Sequence, residues 1–92
     1  MENLENQNFN GVINSGNQSI HHYEVISSNI KSVTFSDSIL FVEFHGGSVY
    51  SYKNVTFELF NMLAHAKSVG SFFNRNIKSN SDLFPFTRIS NH

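Results

Sequence analysis

The 92-residue chain contains no cysteine, no tryptophan and a single proline. Without cysteine there is no disulfide framework, no thiolate metal site and no cysteine nucleophile, and the composition fits a reducing cytoplasm. Charge is also scarce, with six Lys and Arg against seven Asp and Glu for a net of −1. Six cations cannot follow a long phosphate backbone, so duplex DNA is not an expected partner. No apolar run approaches the roughly 18 residues of a membrane span. No cationic stretch precedes an apolar one near the N-terminus, so neither a membrane segment nor a secretory leader is expected. Alanine occurs only at positions 64 and 66, whereas phenylalanine occurs ten times. That bias favours strands and thick packed layers over long helices.

A chain of this length is expected to form one domain. Residues 1–19 are rich in Asn, Gln, Gly and Ser, and such a segment does not bury enough apolar surface to order itself. They are expected to be a flexible tail, with a short docked strand near Phe9 to Ile13 left open. Residues 20–79 carry the pattern of an α+β domain. Residues 80–92 read as an extended C-terminal segment, because Pro85 interrupts an apolar stretch and suits an edge strand. Within the domain, Ile30 to Phe35 alternates apolar and polar, and Ser36-Asp37-Ser38 favours a turn. Ile39 to His45 places Leu40, Val42 and Phe44 on one face and Ile39, Phe41 and Glu43 on the other. Gly46-Gly47 predicts a two-residue hairpin into Ser48 to Lys53, with Tyr50 and Tyr52 on one face. These three strands are expected to form an antiparallel meander packed against two C-terminal helices. The first helix is capped by Asn54 or Thr56 and uses Leu59, Phe60 and Leu63. The second starts after Ser68 and runs to about Lys78. This arrangement leaves Ile39, Phe41 and Val49 without cover on the far face of the sheet. Either the terminal segments fold over them or a homo-oligomer, dimer or tetramer, buries them.

The chemical motifs are sparse. His21 and His22 are adjacent on a strand and point to opposite faces. No H-E-x-x-H or paired-histidine spacing occurs, so no metal and no cofactor is expected. There is no G-x-S-x-G elbow and no paired-carboxylate spacing, which argues against an enzyme. Cations concentrate in the second half, where residues 44–92 carry a net of +3 against −4 for residues 1–43. Ser68 can cap the second helix, Gly70 permits a close approach to its backbone, and Arg75 and Lys78 lie three apart on one helical face. Phe73 and Tyr52 offer flat surfaces to a base. Together these residues describe a site for a nucleotide phosphate, or alternatively a capped helix with solvated cations and core aromatics.

A run of ordered motifs adds to this. Val25-x-Ser27-Ser28-x-Ile30 is followed by Leu40-x-Val42-x-Phe44, Gly47-x-x-Tyr50-x-Tyr52-x-x-Val55, Leu63-x-x-Ala66-x-Ser68-x-Gly70-x-Phe72-Phe73-Asn74 and Ile77-Lys78. Over about residues 25–78 the chain resembles the KTSC domain family. Two positions depart from the family pattern: Thr56 replaces a usual Pro, and Phe35 replaces a common Tyr. The resemblance implies a small α+β fold. It also implies, through KTSC domains appended to some lysyl-tRNA synthetases, a nucleic-acid or nucleotide-binding module. Its functional positions fall on Ser27, Ser28, Tyr50, Tyr52, Ser68, Gly70, Phe73 and Asn74. In architecture alone, the chain is similar to phage anti-CBASS sponges, which sequester the cyclic oligonucleotide signals of bacterial immunity. The expectation is therefore a non-enzymatic, oligomeric phage protein of the host cytoplasm that sequesters a cyclic oligonucleotide such as a cyclic dinucleotide. Ser27, Ser28, Asn29 and Asn74 would read polar edges, Tyr52 and Phe73 would stack on bases, and Ser68, Arg75 and Lys78 would hold phosphates. The alternatives are an RNA- or tRNA-associated module and a protein-interaction inhibitor of a host enzyme.

Overall fold

The computed structural model describes residues 11–15 and 18–90. Among the described residues, six strands form one antiparallel sheet in sequence order: β1 (Gly11–Ser15), β2 (Gln18–Glu24), β3 (Ile30–Ser36), β4 (Ile39–Phe44), β5 (Val49–Tyr52) and β6 (Phe86–Ser90). Between β5 and β6 the chain leaves the sheet to form α1 (Phe57–Ala64) and α2 (Val69–Phe73), followed directly by a π-helical turn, Asn74–Lys78. The α+β class is as expected, and the three central strands lie where the alternation puts them.

The sheet has twice the expected number of strands. β1 falls in the segment expected to be a tail, β2 overlaps that segment only at Gln18 and Ser19, and residues 1–10, 16, 17, 91 and 92 lie outside the described residues. Strand pairing is a main-chain interaction, so an Asn- and Ser-rich sequence can enter a ladder without supplying core side chains. β6 extends the other edge, with Phe86 opposite Tyr52 and Arg88 opposite Tyr50. Its start is fixed by a hydrogen bond from the Lys53 N–H to the Pro85 carbonyl (3.0 Å) and one from the Asn54 side-chain amide to the Leu83 carbonyl (3.3 Å).

Two turns set the register of the central strands. Asp37 and Ser38 both adopt positive φ, 53° and 62°, which is the twist of a type I′ hairpin. The β4–β5 turn is longer than predicted. The Phe44 N–H bonds the Ser48 carbonyl at 2.9 Å, enclosing His45-Gly46-Gly47, and Gly47 takes φ of 101°. That loop needs only one left-handed residue, which is why the Gly pair does not form a two-residue turn.

The core lies between one sheet face and the helices. Val33, Leu40 and Val42 from the sheet meet Phe60, Leu63 and Ile77 from the helices, all fully buried. A bulge between Ile30 and Ser32 returns Ile30 to the core face opposite Phe44. Both departures from the family pattern are accommodated. Thr56 caps α1 by accepting from the Leu59 N–H at 3.1 Å. Phe35 stacks on Phe60 with ring centroids 5.2 Å apart. The far sheet face holds Ile39, Phe41 and Val49, each half-buried.

Candidate functional site

The segment Ser27–Asn29 joins β2 to β3 and lies against both the β4–β5 turn and α2. Its shape is set by hydrogen bonds within the protein. The Ser27 hydroxyl accepts from the Asn29 and Ile30 N–H groups, each at 3.2 Å. His45 clamps the segment from the turn: its Nε2 donates to the Ser27 carbonyl at 2.8 Å, and its backbone N–H donates to the Asn29 carbonyl at 3.0 Å. On the other side, a methyl group at Gly70 would stand 3.4 Å from the Ser27 Oγ. The close approach that Gly70 permits is thus already taken by Ser27, and Ser27 is a shaping residue rather than an open acceptor.

Two adjoining clefts follow from this arrangement. One, of about 480 Å³, runs between Asn29, His45, Asn74 and Lys78, with Phe73 in its floor. The other, of about 400 Å³, runs between Ser27, Lys67, Ser68 and Ser71. They share Ser28, Asn29, Gly70 and Asn74, so they form one trough with a lysine toward each end. Ser68 caps α2 by accepting from the Ser71 N–H at 3.3 Å. Among the described residues, the side chains of Ser28, Asn29, Asn74, Lys67 and Lys78 have no hydrogen-bond or ion-pair partner, whereas Lys31 pairs with Glu43 at 3.9 Å.

The structure brings Ser27, Ser28, Asn29, Ser68, Gly70, Phe73, Asn74 and Lys78 to this trough, and separates Arg75, Tyr50 and Tyr52 from it. Arg75 lines a different hollow with Met62, His65 and Phe72. The expectation that Arg75 and Lys78 share a face assumed an α-helix. The Ser79 N–H bonds the Asn74 carbonyl at 3.1 Å, an i→i+5 bond. In this wider helix three residues span less of a turn, so the two cations diverge.

The stacking role expected of Phe73 and Tyr52 is also corrected. Phe73 is 2 % exposed and Tyr52 4 %. The two rings meet edge to face at 5.3 Å, and Phe73 also packs edge to face on Phe44 at 6.0 Å. Rings held this way are core and present no free face to a base. Burial, with the neighbouring Tyr50 phenol adding to it, pushes the Tyr52 hydroxyl up to about 12. Tyr50 is half-buried and lies under the Arg88 guanidinium, 5.9 Å from its ring centre.

Sequence reasoning missed His45 and Lys67. His45 acts through a contact between positions 18 apart, for which no local pattern exists. Lys67 follows the end of α1, just before the expected start of the second helix, at a position to which the sequence pattern assigns no role. Among the described residues no group of three His, Asp or Glu side chains is placed to hold a metal, and no helix is long and apolar enough to cross a membrane.

Comparison with known proteins places this geometry in context. The model of the KTSC domain family matches residues 26–80. A crystal structure of a KTSC domain protein from Yersinia pestis is similar, with 28 % identity and a TM-score of 0.65, over 77 % of this chain and 99 % of the other. No curated protein matches. The matched segment contains the whole trough and omits β1, β2 and β6.

Proposed function

The chain belongs to the KTSC domain family, and from that premise we propose that it is a non-enzymatic nucleotide-binding protein whose site is the trough over Gly70. The observation that carries this reading is the convergence of Ser28, Asn29, Asn74 and Lys78, none with a partner among the described residues, on a cleft held open by the His45 clamp. The two clefts, of about 480 and 400 Å³, fall in the range of small-ligand pockets, roughly 300–1,000 Å³. One lysine toward each end, with amide and hydroxyl groups between, suits one or two phosphates and the polar edge of a sugar or base. It does not suit a nucleic-acid backbone, for which the cations are too few.

In its specific form the proposal is a phage-encoded sponge. It sequesters a cyclic oligonucleotide signal in the host cytoplasm and acts as a homo-oligomer. The half-buried Ile39, Phe41 and Val49 on the open sheet face support self-association. Native mass spectrometry of protein purified from cells that make cyclic oligonucleotides tests both parts at once. The expected result is a dimer or tetramer carrying intact cyclic nucleotide that is released on denaturation. A ligand-free species from such cells counts against the sponge and favours a protein-interaction role for the open face.

A further inference from the structure

Lys78 and Phe44 line a second cavity besides the trough. On their far side lies a recess of about 330 Å³, completed by Tyr50, Tyr52 and Phe86. Its walls are rings, and among the described residues Lys78 is the charged residue that lines it. Phe86 differs from the other rings. It rests on Tyr50 and on Tyr52, with ring centroids 5.9 Å away in each case, yet it is 54 % exposed. A large ring supported from one side and open on the other is what a stacking base needs. Phe73 and Tyr52, buried in the core, do not provide it.

We propose that this recess receives the base of a nucleotide whose phosphate is held by Lys78, with Phe86 as the stacking surface. The inference rests on the nucleotide reading of the trough and adds the ligand's orientation: phosphate and sugar toward Asn29 and Asn74, base across Lys78 toward β6. Charge favours this occupant over a purely apolar one. The ammonium of Lys78 stands at the junction with no acidic partner among the described residues, so a ligand filling the recess gains by bringing an anion to it. Stacking is tolerant of base identity, so discrimination between bases falls to the polar trough and not to the recess. Phe86 lies in β6, outside the segment that matches the family. The base site therefore draws on a residue outside the matched segment.

The test is isothermal titration of wild type, Phe86→Leu and Phe86→Tyr with adenosine monophosphate, cyclic di-AMP and cyclic di-GMP, with tyrosine emission followed in parallel. Leucine keeps the apolar volume and removes the ring, whereas tyrosine keeps the ring. For each nucleotide that wild type binds, Phe86→Leu weakens binding about tenfold and Phe86→Tyr stays within about twofold. Tyrosine emission of the wild type falls on saturation, because a base in the recess lies beside Tyr50. Nucleotide binding that is equal in wild type and Phe86→Leu overturns the recess and leaves the trough standing. Equal losses in both variants also overturn it, since they indicate a role for Phe86 in folding alone. Absence of binding by wild type to all three nucleotides overturns the recess and the nucleotide reading together.

Discussion

On one side of Lys78 the protein presents Ser28, Asn29 and Asn74, polar side chains on a short connection and a helix end; on the other it presents Phe44, Tyr50, Tyr52 and Phe86. The polar side is shaped by hydrogen bonds from His45 and from the Ser27 hydroxyl. The aromatic side is shaped by packing on the core. The difference shows how a small domain can place two kinds of recognition next to each other. Core rings form a firm floor under both cavities, while the groups that meet a ligand sit on it with few bonds of their own. Altering the floor should change stability, and altering the groups above it should change binding alone.

The largest effect is expected at the shared floor. Phe73→Ala removes a ring that touches Phe44 and Tyr52. It should cost about 3–5 kcal/mol in urea unfolding, enough to unfold much of a domain of this size. A loss below about 1 kcal/mol would mean that the ring is not part of the floor.

Tyr52 sharpens the same point through pH. Its hydroxyl titrates near 12 in the folded protein against 10.0 for an unperturbed tyrosine. The folded state therefore holds this proton more tightly than the unfolded chain. Stability from this group is fully present below pH 10 and is lost as pH rises toward 12, by roughly 2–3 kcal/mol. Urea midpoints between pH 8 and 12 should fall more steeply for wild type than for Tyr52→Phe. Parallel curves would place the hydroxyl in water.

A smaller effect belongs to the clamp. His45→Ala deletes the bond from Nε2 to the Ser27 carbonyl and leaves the backbone bond to Asn29. The expected cost is about 1 kcal/mol of stability, together with a loss of about threefold to fivefold in nucleotide affinity, because the Ser27–Asn29 segment is no longer fixed. Unchanged affinity would show that this segment does not contact the ligand. The smallest effect is at Arg75, which the π-helical turn directs into another hollow. Arg75→Ala should leave nucleotide affinity within about twofold and stability within about 0.5 kcal/mol. A tenfold loss of affinity would return Arg75 to the site and contradict the separation of the two cations.

How much of this was legible in the sequence depends on the kind of interaction. Leu40 and Val42 on alternate positions, and Phe60 and Leu63 at helical spacing, identify the core because burial leaves a period in the sequence. Ser68 as a cap and Gly70 as a close-contact position are legible for the same local reason. β1 is not, since its pairing is carried by the main chain in a segment whose side chains signal a tail; β2 lies mostly within the expected domain, where Tyr23 packs on Phe60. The π-helical turn leaves no distinctive spacing at Arg75 and Lys78, so the α-helical period misplaces one cation. His45 and Phe86 act through contacts made only when distant strands meet. Of the site residues named from the sequence, those on the Ser27–Asn29 connection and on the segment from Ser68 to Lys78 came together, except Arg75. The tyrosines belong to the other side of Lys78.

The most direct test of the trough as a nucleotide site is titration calorimetry of wild type and Lys78→Glu with cyclic di-AMP, cyclic di-GMP and a cyclic trinucleotide. Wild type should bind at least one of them saturably, and the charge reversal should weaken that binding about a hundredfold or more with the urea midpoint unchanged. No heat from any of them with wild type at high micromolar protein, or equal binding by Lys78→Glu, would contradict it.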